Sequence, residues 1–227
     1  MCSQENGVRV MVFDDGFGFV ELLAVFGNDL TVVNAARVSL NKESIEFNNQ
    51  DRQLLRYLAK NKHISPFFHP ILRFRFKMPI FIAREWFRHT VGFARNEVSR
   101  RYVKYDAECW VPPIIREMSD KIKQGSMDTE VENKESISER MMSHVSRSCS
   151  LYNELIEQRV APELARTVLP QSMYTEFIET GSLYGYLRLC ELRNSPDAQQ
   201  EIRLYSNIVF RFLQNHFPES VAAFHSN

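Results

Sequence analysis

Apolar and charged residues alternate strictly over residues 72–77, with Leu72, Phe74 and Phe76 on one phase and Arg73, Arg75 and Lys77 on the other. A period of two predicts a strand with one buried face. Val8–Phe13 and Phe19–Phe26 read as two further strands around a turn at Asp14-Asp15-Gly16. Elsewhere the period lengthens. Leu30, Val33, Ala36 and Arg37 fall at helical spacing and predict a helix capped by Asp29. Asp51 starts another, with Leu54, Leu55 and Leu58 on one side, and residues 61–70 break regular structure. Pro79 suits the first turn of a helix running through Ile80, Ala83, Trp86 and Phe87 toward Arg88 and His89.

In the second half, the polar stretch 119–135 reads as a mobile surface connection. Ile137, Met141, Val145, Ser148, Tyr152 and Leu155 then recur at three- and four-residue steps, predicting a long helix to about Gln158. A short helix over 162–168 stops at Pro170, Tyr174–Ile178 reads as a strand and Gly181 as a turn. Leu183–Leu192 predicts a helix ending before Asn194-Ser195-Pro196. Asp197 caps a last helix containing Ile202, Tyr205, Ile208, Val209, Phe212 and Leu213. Mixed strands with helices in the majority predict one α+β domain over residues 1–227.

Charge narrows the functional classes. Twenty-eight basic residues balance 28 acidic ones, so no global field draws the chain to nucleic acid or an anionic membrane, and any anion site is local. Cys2, Cys109, Cys149 and Cys190 are far apart in sequence, with no CxxC pair and no His at ligand spacing, which suggests neither a disulfide framework nor a metal knuckle. No apolar run approaches a membrane span, and the first residues lack a signal-peptide pattern. These readings predict a soluble, cytoplasmic protein.

The densest chemistry lies between Arg88 and Tyr102, where Arg88, Arg95, Arg100 and Arg101 are interleaved with His89, Asn96, Glu97, Ser99 and a flexible turn at Gly92. Guanidinium forks match phosphate oxygens, and a hydroxyl or backbone N–H completes the cradle. A solvated basic loop has the same composition. The flanking aromatics Trp86, Phe87, Tyr102 and Tyr105 favour a segment anchored on a core. Arg166 and Arg193, taken alone, read as helix-end charges. The cysteines read as buried or incidental thiols, because none has the basic neighbourhood of an activated nucleophile.

Several segments together resemble the flavin-dependent thymidylate synthases. Arg88-His89-Thr90 followed by Ser99 is similar to that family's signature of Arg-His-Arg, seven residues, then Ser. The other similar segments, in family order, are Gly27–Leu30 with Ala35–Ser39, His63–Phe67, Pro79–Phe87, Ala165-Arg166 with Leu169-Pro170, Tyr174-Thr175, Thr180–Leu183, Leu192-Arg193, and Ala198-Gln199 with Glu201–Arg203. The resemblance covers residues 17–225 and implies a helix-rich single domain with a small, mostly antiparallel sheet. It implies reductive methylation of dUMP to dTMP, with methylenetetrahydrofolate as carbon donor and FAD, reduced by NADPH, as hydride source.

By the same resemblance Glu85, Arg88, Glu97, Val98, Ser99, Arg100, Arg101, Arg166 and Arg193 surround dUMP, with Ser99, Arg101 and Arg166 nearest its phosphate. Arg193 takes the place of the catalytic arginine. Ser39, His63, Ser65, Arg88, His89, Thr90, Glu97, Ser182 and Arg188 lie along the FAD, and the sites are shared between subunits of a homotetramer. Three departures fall on the flavin side. Thr90 replaces the second signature arginine, and eight residues rather than seven precede Ser99. Phe68 stands where a carboxylate is common, and Tyr184 and Arg188 stand where Arg and Asn or His are common. The extra residue predicts that Arg95 returns its guanidinium to the flavin or folate side. These departures keep open a related C5 modification, such as hydroxymethylation or use of dCMP, and a binding protein without catalysis.

Overall fold

The alternating segment is the middle of a sheet. In the computed structural model, which describes residues 7–102, 106–119 and 125–225, β1 (Val8–Met11) and β2 (Phe19–Phe26) form the predicted hairpin. Helix α1 (Asp29–Arg37) follows, capped by Asn28, whose side chain accepts from the Thr31 N–H at 3.1 Å. The predicted cap Asp29 is instead buried and grips a distant helix. It accepts from the backbone N–H of Glu219 at 3.0 Å and of Ser220 at 2.8 Å, at the start of the C-terminal helix Pro218–His225. Helix α2 (Asn49–Lys60) begins with a capping box in which Asn48 is the cap and Asp51 the third helical residue, so Asp51 lies inside the turn it was predicted to start. A 3₁₀ turn at Ser65–Phe68 leads into β3 (Ile71–Pro79).

Helix α3 (Ile80–Trp86) stops short of Arg88. The next residues hold a surprise: Phe93–Glu97, within the arginine segment, form β4, one of the two edge strands of the sheet. Gly92 supplies the turn into it at φ +80°, a region closed to most side chains. Beyond it, β5 (Arg116–Met118) pairs with β6 (Ser126–Glu130) in a separate hairpin, so the stretch 119–135, predicted to be a connection, instead contains a strand and the first residues of the next helix. Helix α4 (Lys134–Glu157) and helix α5 (Pro162–Ala165), with a 3₁₀ turn at Arg166–Val168, precede β7 (Tyr174–Ser182). Helices α6 (Leu183–Arg193), α7 (Gln200–His216) and α8 (Pro218–His225) complete the chain. Helix α7 starts after Gln199, so Asp197 is no cap, and α8 is an element the sequence reading did not contain.

The sheet order is β1-β2-β3-β7-β4, every pair antiparallel. One face carries Leu22, Leu72, Phe74, Phe76, Met78 and Phe177 into a core shared with Tyr186, Leu189, Tyr205 and Phe212 of α6 and α7. Gly181 is within β7 rather than in a turn. It faces Leu72 and Phe93, and a Cβ there would meet the Phe93 ring at 2.5 Å and Tyr186 at 2.7 Å. Helix α4 has the predicted length, and of its apolar stripe Tyr152 is buried, Ile137, Val145 and Leu155 are half-buried and Met141 is exposed. No helix among the described residues is long and apolar enough to cross a membrane. Cys2 and Tyr105 lie outside the described residues.

Candidate active site

Where β4 ends, pairing with β7 continues through the Val98 N–H to the Glu176 carbonyl at 2.8 Å, and the chain then turns back at Ser99. That turn faces the 3₁₀ turn of Arg166 from the other half of the chain. A cavity of about 390 Å³ lies between them, lined by Glu97, Val98, Ser99, Arg100, Arg166 and Thr175 among others. Its size suits a small molecule. The Thr175 hydroxyl donates to Glu97 Oε1 at 2.5 Å, fixing that carboxylate at the rim. Arg166 is exposed and joins no ion pair among the described residues, so its charge is available to a ligand.

The two neighbouring arginines divide the work differently from the sequence expectation. Arg100 is buried at 7% exposure, donates to the Asp106 carbonyl at 3.3 Å and lies 5.9 Å from the Tyr152 ring. It ties the loop to α4 as well as lining the cavity. Arg101 points outward to Glu163 at 3.1 Å, with both side chains about half exposed. Such a pair is worth at most about 1 kcal/mol and yields easily to a phosphate. Tyr102 is 80% exposed, so the anchoring of the segment comes from Trp86 on its other flank and from β4.

A second cluster forms at the C-terminal end of α6. Arg193 Nε donates to His89 Nε2 at 2.9 Å, and one Nη donates to the Glu85 carbonyl at 3.3 Å. The Glu85 carboxylate stands 3.5 Å from the other Nη, and its Oε2 is buried without a hydrogen-bond partner. Burial first, then the charges of Arg193, Arg95, Arg188 and Arg88, push the His89 pKa down to about 4. The ring is therefore neutral at physiological pH. Its Nε2 is a lone-pair acceptor, with the proton on Nδ1.

The flavin-side residues are brought together in part. The Ser182 N–H donates to the Gly92 carbonyl at 2.9 Å, and Phe68 packs on Tyr184 with centroids 5.0 Å apart, so the Ser65–Phe68 turn, the loop of His89 and Thr90, and the start of α6 meet. Ser182 itself caps α6, accepting from the Gly185 N–H at 3.1 Å. Ser39 and His63 are exposed and make local contacts only: the Ser39 hydroxyl donates to the Ala36 carbonyl, and His63 stacks on Tyr57. Arg88 and Arg188 are exposed cations close enough to act on His89, and neither joins an ion pair among the described residues. Arg95 does not return to this side. Its guanidinium turns inward to pair with the fully buried Glu179, a residue the sequence reading passed over. The signal for it was present, because Glu179 falls on the core-facing phase of β7 with Thr175 and Phe177.

Neither Cys109 nor Cys190 is an activated thiol. Burial, first, and the neighbouring Cys149 raise the Cys109 thiol to about 12, and burial raises Cys190 to about 12. Cys109 and Cys149 Sγ atoms approach to 3.8 Å as free thiols, a proximity that sequence distance concealed. A wider groove of about 980 Å³ between α4 and Trp110 contains none of the predicted site residues.

Comparison with known proteins agrees with this geometry. Residues 21–219 match the family model described as thymidylate synthase complementing protein. A flavin-dependent thymidylate synthase of Thermotoga neapolitana is 37% identical over 217 residues, covering 96% of this chain and 94% of the relative. The chain belongs to the flavin-dependent thymidylate synthase family. A family relative from Thermus thermophilus is 34% identical, with 97% of this chain and 79% of the relative covered. Among solved structures, a UMP/dUMP methylase, PolB from Streptomyces cacaoi, bound with 5-Br dUMP, superposes with a TM-score of 0.82 at 27% identity over 91% of this chain and 94% of that one. The same methylase bound with 5-Br UMP gives a TM-score of 0.81. The α+β fold with its small antiparallel sheet is thus the family's.

Proposed function

We propose that this chain converts dUMP to dTMP as a flavin-dependent thymidylate synthase. The observation that carries the reading is the meeting of Ser99 and Arg166, from opposite halves of a family member, across one cavity sized for a small molecule. Its similarity to flavin-dependent thymidylate synthases supports the activity, and its similarity to a UMP/dUMP methylase supports a uridine monophosphate as substrate.

In this reading Arg166 and the Ser99 hydroxyl take the phosphate, joined by Arg101 once it leaves Glu163. Glu97, Val98 and Arg100 bound the sugar side. Arg193, oriented by neutral His89 and by the Glu85 carbonyl, presents its remaining N–H donors to the uracil ring at N3 and O2. A fixed cation there stabilises the negative charge that develops as the ring carbon gains its new bond. The Glu85 carboxylate, whose Oε2 stands 3.5 Å from Arg193, keeps the guanidinium charge balanced beside the nucleotide. FAD fits the donor set, because the exposed Arg88 and Arg188 suit a pyrophosphate and the exposed Ser65 and Thr90 add hydroxyls, while Ser182 caps the helix that carries Arg188. When bound and reduced by NADPH, it supplies the hydride. The folate's methylene carbon is reduced to a methyl group by the two electrons of NADPH, and the folate leaves as tetrahydrofolate. No cysteine takes part.

A homotetramer with shared sites and a cytoplasmic location belong to the same reading. Their support is the exposure of Val38, Leu40 and Ile45 beside Ser39, at 73%, 68% and 90%, together with the exposed Met141, Met142 and Leu151 of α4 and the free thiols. The test is spectroscopic. The purified chain with FAD should bleach on NADPH and recover its yellow colour on adding dUMP and methylenetetrahydrofolate. A preparation that binds neither FAD nor dUMP would contradict the reading. Colour recovery with dCMP, or a hydroxymethylated product, would transfer it to a related C5 modification.

A further inference from the structure

Glu179 breaks the apolar phase of β7, standing between Phe177 and Gly181 on the core side with no exposed surface. Its cross-strand neighbours are Phe74 on β3 and Arg95 on β4. Besides the buried Tyr186 hydroxyl, two donors reach its carboxylate. Trp86 Nε1–H, on the last turn of α3, donates to Oε1 at 3.1 Å, and the Arg95 guanidinium pairs with Oε2. Those donors are the two ends of one loop. Residues 87–94 run between them and carry Arg88 and His89, while the Arg95 guanidinium also lies over the rings of Phe87 and Phe93, at 5.3 and 4.8 Å.

Stability alone does not account for this arrangement. Removing two ions from water costs several kcal/mol each, about as much as their attraction returns, so an apolar pair of similar volume would hold β4 to β7 as well. Position is what the pair adds. The β4–β7 ladder already holds the Arg95 backbone, and a carboxylate bonded to both Trp86 and Arg95 adds a fixed direction between their side chains at the two loop ends, which an apolar contact lacks. The loop places His89 Nε2 at 2.9 Å from Arg193, and the Glu85 carbonyl, the other anchor of Arg193, belongs to the residue before Trp86.

We propose that Glu179 is a positioning residue for catalysis: by holding Trp86 and Arg95 it fixes the loop that aligns His89, and through His89 it fixes the guanidinium of Arg193. The inference rests on the role given to Arg193 above. Displacement of a positioning group by about an ångström costs up to about a hundredfold in rate while leaving binding nearly intact.

The test uses the full chain with FAD in three forms: Glu179→Gln, the double variant Arg95→Met/Glu179→Leu, and Arg193→Ala. Thermal midpoint, dUMP affinity by calorimetry, kcat and KM for dUMP are measured for each, with a crystal structure of the double variant. The double variant leaves the buried Trp86 N–H without its acceptor, so it should melt below the parent yet stay folded and bind dUMP within about threefold, while losing about tenfold or more in kcat, with the His89–Arg193 contact broken in its crystals. Native kcat with the contact kept would overturn the proposal. Should the double variant fail to fold, Glu179→Gln decides, because it keeps the shape: a kcat loss at unchanged KM supports the proposal, and parental kcat overturns it. Parental turnover in Arg193→Ala would overturn the reading of Arg193 and the proposal with it. Loss in Arg193→Ala beside parental turnover in both Glu179 variants would overturn the proposal alone.

Discussion

Replacing Arg193 by Ala removes a cation whose placement the structure specifies closely. Its Nε–H goes to His89 at 2.9 Å and one Nη–H to the Glu85 carbonyl at 3.3 Å, while the Glu85 carboxylate at 3.5 Å is too far for a strong hydrogen bond. The guanidinium is therefore held from behind, and most of its donors remain free for a ligand. A preorganised donor facing developing charge is worth about 2.7–4 kcal/mol, or about 10²–10³ in kcat. Arg193→Ala should lose that much in a single-turnover measurement of dTMP formation, with dUMP affinity within about threefold because the phosphate contacts stay. Arg193→Lys keeps a charge but not the fork that binds His89 and Glu85 together, so it should recover about tenfold of the loss at most. A turnover within about threefold of the parent in Arg193→Ala, or a loss confined to KM, would refute the reasoning.

Arg166→Ala should weaken dUMP binding about 10- to 150-fold, the effect of losing a hydrogen bond to a charged group, and leave deoxyuridine binding unchanged; equal losses for both ligands in calorimetry would count against a phosphate contact. The depressed pKa of His89, about 4 against 6.5, means that the unfolded chain takes up a proton in that window which the folded chain refuses, so stability is full above pH 6.5 and falls as pH drops toward 4. The stability gap between parent and His89→Gln should narrow over the same range in urea titrations, and a gap that widens in acid would show the sign to be wrong. A chain in which every cysteine is replaced by Ser or Ala should keep turnover within about twofold, since no thiolate attacks the base; abolished activity in a folded sample would restore a cysteine nucleophile. Asp29→Ala removes the cap of α8 and should cost about 1–2 kcal/mol in unfolding free energy with turnover at 25 °C intact, and equal stability would show the cap to be dispensable.

The strands of strongest alternation were legible because burial on one face imposes a period of two that local sequence carries by itself. β2 and β3 fall where the pattern puts them. β4 was hidden because an edge strand has one partner and a half-solvated face, so Phe93–Glu97 has no alternation to display and its arginines drew attention to chemistry instead. Gly181 looked like a turn because local sequence does not report that two aromatic rings crowd its position. Asp29 and Asp51 were each read as caps one or more residues off, since Asn28 and Asn48 serve equally well and only tertiary contacts assign the remaining carboxylates. At the site, the convergence of Ser99 with Arg166, and of Arg193 with His89, joins residues far apart in sequence. Only the family pattern anticipated it, because spacing along the chain does not encode which loops meet. The inward turn of Arg95 depended on Glu179, a pairing visible only once β4 and β7 are in register.

Product analysis on the purified chain reaches the core of the account most directly. With FAD, NADPH and methylenetetrahydrofolate present, chromatography with mass detection should show dUMP replaced by dTMP, with tetrahydrofolate formed in equal amount, and Arg166→Ala slowed at low dUMP concentration. NADPH consumed while dUMP stays unmodified would contradict it.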